Sequence, residues 1–403
     1  MFNNKNIFIL ACLANGVCFS MILPLLAPIV RHLQLSELHG GAIVSIGALF
    51  MVIAAVLISK KQQLGIFQLL CYGFAGMALT WGLFSLSIYY GLTVTMSATV
   101  LFGLLMLTRA STGIFMAMPQ IALQTYIMTR YETEQSRSQH MAFFGALNSV
   151  GVVLGPFITT VFLVWGLMAP LWVAVLLLTL ISILIIVYFD RKDIPVIAAT
   201  DVNSLSLQDQ QVSIHKALPW LVLGFSLYLA IVTVNLTAGF YIQDHFQTSV
   251  MQGAVYFSQC SMIAGIALVA MQTAIAKFLK WRVQQLLWCG LMTMLAGLIL
   301  AISTDHIRIF QSGYLLFGIS VACLIPAFTT GTAETGPQHF QAKLAAWCTA
   351  TQALSFVIGP MLSTGLYEWR ATSPYYFLIG LMLILMGYFA AFYRRAVVVS
   401  LEN

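Results

Sequence analysis

Charge is what this sequence has least of. Only 7% of its 403 residues are Asp, Glu, Lys or Arg, against 60% hydrophobic residues, and the mean hydropathy is +0.93. A soluble domain carries roughly 25% charged residues, so a water-exposed surface over the whole chain is excluded and a polytopic membrane protein is implied. Acid is scarcer still, with twelve Asp and Glu in all and none in the middle of an apolar run. A membrane-embedded transferase needs clustered carboxylates to hold metal-bound phosphates, or an acid/base pair, and the chain has neither. No enzymatic reaction is therefore expected. The seven cysteines show no Cys-x-x-Cys or Cys/His spacing, and no Gly-rich phosphate loop is present. No metal or cofactor is expected, and the cysteines read as small packing residues. The net charge of +6 is scattered over short connections, so nucleic acid is not an expected partner.

What is abundant is long apolar sequence. Twelve stretches, approximately 7–30, 40–59, 66–87, 94–128, 140–164, 169–189, 218–242, 251–276, 284–303, 309–333, 343–367 and 374–393, have about the 20 residues a bilayer core requires. Of the eighteen Lys and Arg, fourteen fall on the side of the two termini and three (Arg31, Arg308, Arg370) on the other, with Arg109 inside the fourth stretch. The positive-inside rule then places both termini in the cytoplasm of a cell whose inner membrane holds the chain. An eleven-span reading scrambles this bias. The first span follows Lys5 as a secretory signal would, but it is long, contains Pro24 and Pro28, and lacks a small-x-small cleavage site. The polar segment 190–217 divides the chain into an N-terminal six-helix bundle, 1–189, a cytoplasmic linker, and a C-terminal six-helix bundle, 218–403. Trp81 with Tyr89-Tyr90, and Trp165, Trp172, Trp220, Trp281 and Trp369, read as interfacial anchors.

The segment from Arg109 to Pro156 organises the rest. A charge at this depth in hydrocarbon normally faces a protein interior or a wet cavity. Gly113 and Ala117 follow Arg109 at steps of four and share its helix face. Arg109 thus reads as the contact for an anionic or strongly polar substrate; satisfaction by helix-end carbonyls is the alternative. Farther on, Gly151, Gly155 and Thr159 form one ridge and Ala142, Gly145 and Ser149 another. Such ridges let helices touch, and Pro156 removes a backbone donor. Gly155-Pro156 returns as Gly359-Pro360, 204 residues later, and Pro119 as Pro326, 207 residues later. Two halves related by an axis along the membrane normal, with substrate between them, follow from that repeat. The other candidate substrate contacts are uncharged: Asn15, Asn148, Asn235, Gln259 and Gln352. Each is equally suited to helix-to-helix hydrogen bonding. Proton coupling needs a group whose pKa burial and substrate can move. Asp244 and Glu334, at span ends, are the candidates, with an ordinary loop acid as the alternative for Asp244.

R-x-x-x-G at 109–113, Pro119, T-Y-I at 125–127, Arg137, and A-x8-G-x3-G-P ending at Pro156 resemble the twelve-helix drug:proton antiporter branch of the major facilitator superfamily. GFYIQDHF at 239–246 is similar to a subgroup of multidrug and siderophore-type exporters. The resemblance implies an all-α fold of two pseudo-symmetric six-helix bundles, efflux by alternating access, and the proton gradient as driving force. A cavity with a fixed plus and no fixed minus favours a small polar or anionic cargo, such as a carboxylate-rich siderophore-like metabolite. The expected partners are that cargo, the lipid bilayer and the proton, for a transporter acting as a monomer. An importer or facilitator of a small nutrient is the alternative.

Overall fold

The computed structural model describes residues 4–61, 65–94, 96–130, 147, 150–151, 154–189, 207–279, 281–336 and 341–401. Gly145 and Asn148 lie outside them. Among the described residues there is no strand. The first span is α1, in two segments, Asn4–Met21 and Leu23–His32; Pro24 lacks the N–H that would continue the ladder across the junction, and Pro28 lies inside the second segment. Then come α2 (Glu37–Lys61), α3 (Ile66–Thr93), α4 (Ala98–Arg130), α5 (Leu154–Trp165) and α6 (Met168–Tyr188). The second half holds α7 (Leu207–His245), α8 (Val250–Ala274), α9 (Val283–Ile302), α10 (Ile307–Ala333), α11 (Gln341–Trp369) and α12 (Ser373–Leu401). Ten of the described helices are long and apolar enough to cross a membrane. The α7 helix begins at Leu207, inside the polar segment read as linker, so the described part of that segment is helical.

The helices alternate in direction, so the start of α1 and the end of α12 share one end of the bundle, called here the near end. Leu79, Leu107, Leu176 and Ile384 are 64–70% exposed on the outer surface, an arrangement that costs nothing against lipid and much against water. Within each half the helices approach at glycines, in a pattern written twice. A Cβ on Gly113 of α4 would strike Gly47 O of α2, and one on Gly318 of α10 would strike Ala264 O of α8. On α5, a Cβ at Gly155 would come within 2.7 Å of Val17 O of α1; on α11, one at Gly359 would come within 3.0 Å of Val232 Cγ1 of α7. Gly151 packs on the Leu13–Val17 backbone, and 204 residues later Ser355 donates a 3.1 Å hydrogen bond to Phe225 O of α7. The two Gly-Pro helices therefore hold equivalent places, each packed on the first helix of its half.

The halves meet along α2 against α11, and through the outer segment of α1 against α7 and α8. The inner segment of α1 packs instead on α4 and α6 of its own half. Among the described residues, contact between halves is thus concentrated toward the far end.

Candidate substrate path and gate

At the far end the two halves are tied by charge. Arg31, at the close of α1, donates from Nη2 to Asp244 Oδ2 at the close of α7, 2.8 Å away, and the same nitrogen lies 2.7 Å from Glu37 Oε1. The Tyr367 hydroxyl of α11 donates to the same Asp244 oxygen at 2.6 Å. Beside them the backbone N–H of Leu38 donates to Glu368 Oε1 at 2.8 Å. A cation–π contact, 5.7 Å from Arg31 Cζ to the Phe240 ring centroid, adds a second hold on the guanidinium. The Arg31 and Asp244 side chains are 34% and 38% exposed, so water screens the pair and each bond contributes about 1 kcal/mol.

Arg31 and Asp244 occupy equivalent positions in the two halves. RHLQLS at 31–36 and DHFQTS at 244–249 share His, Gln and Ser in register, and Gln34 and Gln247 both sit in the left-handed region, at φ 53 and 51. Residues that a pseudo-two-fold axis exchanges face one another when they lie near it, and here they carry opposite charge. Asp244→Arg should therefore weaken far-end closure by placing two cations together, and adding Arg31→Asp should recover part of it. Cross-linking of cysteines placed on α2 and α11 at this end reads closure directly; no recovery in the double variant would contradict the pairing.

One turn farther in, Gly41 of α2 touches α11, where a Cβ would meet Thr364 Oγ1 and come within 2.6 Å of Pro360 O. Midway through the bundle an aromatic layer crosses between halves. Phe19 of α1 stands edge-on to Phe356 of α11 with centroids 6.0 Å apart, and Tyr228 of α7 lies 6.2 Å from Phe356 and 6.3 Å from Phe328 of α10. On the near side of that layer lies a cavity of about 290 Å³, lined by Tyr228, Phe328, Thr332, Cys348 and Gln352 among others.

Arg109 lies eleven residues into α4, roughly 16 Å below the far end by helical rise, or half of a ~30 Å hydrocarbon core. It is 7% exposed. Its Cζ sits 5.6 Å from the Trp81 ring centroid and 5.9 Å from that of Phe84, both on α3, and the Gly47 backbone of α2 closes over its stem. No ion pair to it is found among the described residues. All these neighbours belong to the N-terminal half. Trp81 is 2% exposed and therefore is not the interfacial anchor its place near Tyr89-Tyr90 suggests; it is the floor beneath the buried cation.

The uncharged candidates part company. Gln352 opens on the cavity. Asn235 donates to Ile231 O of its own helix at 2.7 Å, and Asn15 is buried on α1 beside the stretch that Gly151 contacts. Gln259 of α8 accepts from Gln311 Nε2 of α10 at 2.9 Å, a bond inside one half. The two candidate acids stand at opposite ends. Asp244 holds the far-end latch, while Glu334 lines a separate near-end opening with Arg282, Gln284 and Tyr393.

Two pseudo-symmetric bundles that touch along α2 and α11, latched at the far end, with a near-side cavity lined by the C-terminal half, are the build of a membrane transporter. The sequence matches the Major Facilitator Superfamily over residues 8–360, and the chain belongs to that family. No curated protein matches it. Among solved structures it is similar to the nucleoside transporter NupG, at TM-score 0.73 and 12% identity over 96% of this chain and 99% of that one. It is likewise similar to a bacterial homologue of the human lysosomal transporter Spinster, inward-facing and unoccupied, at 0.69 and 14% over 94% and 93%. The human organic anion transporter MFSD10 gives 0.65 and 17% over 96% and 99%. At these identities the likeness shows the fold.

Proposed function

We propose that this chain is a proton-coupled exporter of a small polar or anionic molecule, of the drug:proton antiporter branch, working by alternating access in the inner membrane with both termini in the cytoplasm. The observation that carries this reading is the isolation of Arg109: among the described residues it is the one charged side chain at mid-depth, with no acid beside it. In a medium of low dielectric a single fixed charge acts over the width of the path. It attracts a carboxylate-bearing or zwitterionic cargo and repels a lipophilic cation. Gln352, with Tyr228 and the aromatic layer, supplies the walls on the near side, where cargo enters from the cytoplasm. The far end, held by Arg31, Asp244 and Tyr367, is then the outer gate in its closed state. Asp244 is the group through which a proton opens that gate, because protonation removes the charge that Arg31 holds.

Transport into proteoliposomes tests the reading. With the cytoplasmic face outward and an acidic lumen, carboxylate and zwitterionic probes should accumulate, and a protonophore should abolish the accumulation. Equal uptake without a gradient would instead identify a facilitator, and accumulation of cations alone would overturn the choice of cargo.

A further inference from the structure

Inside the N-terminal half, two buried hydrogen-bond donors have nothing to donate to. Arg109 Nε and Trp81 Nε1 are both closed off from solvent and without a partner, on side chains that are 7% and 2% exposed. They are neighbours, since the guanidinium carbon lies 5.6 Å from the Trp81 ring centroid. Cation–π contact with Trp81 and Phe84 offsets part of the cost of burying the charge, but it leaves Arg109 Nε–H without an acceptor. Where water is excluded, an unmade hydrogen bond is costly, and a buried cation without a counter-charge more so. The site asks for one acceptor that is also negative.

We propose that Arg109 and Trp81 form a monoanion site, with one compact negative group accepting from Arg109 Nε–H and Trp81 Nε1–H. A shared acceptor atom stands about 3 Å from each of its donors, a reach compatible with the 5.6 Å between the guanidinium carbon and the Trp81 ring centroid. Phe84, 5.9 Å from the guanidinium, and the Gly47 backbone, where even a Cβ would lie 3.3 Å from Arg109 Cγ, leave no room for a bulky ligand. The group is a halide ion or the carboxylate of a bound cargo, and the two share this chemistry. The proposal deepens the anion reading above, but shares with it only the position of Arg109.

The test uses the purified full-length chain in detergent, with no gradient and no cargo. Tryptophan fluorescence and the thermal midpoint are followed as chloride, bromide or acetate replaces a bulky sulfonate at constant ionic strength. A saturable response is expected, absent in Arg109→Gln and at least fivefold weaker in Trp81→Phe, which keeps the ring and loses the donor. Arg109→Lys, which keeps the charge, should respond more weakly than the native chain and shows that loss in the Gln variant is not misfolding. A response to halides assigns the site to a free ion; a response to acetate alone assigns it to the carboxylate of the cargo. No saturable response in the folded native chain, or an equal one in Trp81→Phe and Arg109→Gln, overturns the proposal and leaves water as the acceptor. Because nothing is transported, failure of the exporter reading would not alter this result, nor the reverse.

Discussion

Gly41→Val is expected to reduce transport more than tenfold while leaving the protein folded and inserted. The glycine sits on α2 where it crosses α11, and a Cβ there would come within 2.6 Å of Pro360 O and collide with Thr364 Oγ1. The first of these is backbone in a helix that Pro360 has already deprived of one donor, so it cannot rotate aside as a flexible side chain would. Overpacking of this kind costs about 1–3 kcal/mol. What sets Gly41 apart from Gly113 or Gly155 is the origin of its neighbours. Those glycines touch helices of their own half, so enlarging them strains every conformation. Gly41 touches the other half, and the clash exists only while the far end is shut. The cost therefore falls on one member of the conformational equilibrium, and 2 kcal/mol is about a thirtyfold shift in its population. A cysteine near the far-end path should become more reactive toward an impermeant thiol reagent in Gly41→Val, and Gly41→Ala should show the same change at smaller amplitude. Unchanged far-end reactivity together with normal transport would mean that the two helices separate without cost.

The contrast between those glycines also shows what the sequence reveals and what it hides. Spans, their count and the two-half architecture are legible because hydrocarbon imposes length and apolarity on every crossing. Gly155-Pro156 and Gly359-Pro360 are legible because close packing needs a missing Cβ wherever it recurs. The far-end latch was less visible, although RHLQLS and DHFQTS are there to be compared. Arg31 draws the eye as a topology marker and Asp244 as an acid, and their pairing depends on a symmetry axis that appears only once the halves are folded together. Trp81 misled for a related reason. An aromatic near Tyr89-Tyr90 suggests the membrane surface, but helical rise puts it about 12 Å farther in than Tyr89, and its face turns to Arg109. Gln259 is indistinguishable by type from Gln352, yet one is spent on Gln311 and the other opens on the cavity. Residue type gives the capacity to bind; only packing decides which partner uses it.

Arg109→Gln is expected to lower export of anionic cargo by about tenfold or more and to spare neutral cargo. Glutamine retains a polar group near the helix but removes the charge. At ~10 Å and an effective dielectric of ~20, a full charge interacts with a carboxylate by about 1.7 kcal/mol, close to a twentyfold effect on apparent affinity. Arg109→Lys should recover much of the loss, because the field depends on charge rather than on guanidinium shape; what it fails to recover measures the stacking on Trp81 and Phe84, which lysine provides less well. Arg109→Glu should invert the preference toward cations. The informative quantity is the ratio of anion to cation transport in each variant, since a buried substitution also changes the amount of folded protein and that factor cancels in a ratio. If Arg109 merely braces α4 against α3, all cargoes decline together and the ratio stays fixed. If it sets the sign of the path, the ratio moves with charge: Arg and Lys high, Gln intermediate, Glu low. An anion-to-cation ratio that ignores the charge at position 109 would move the selectivity to the uncharged walls around Tyr228 and Gln352.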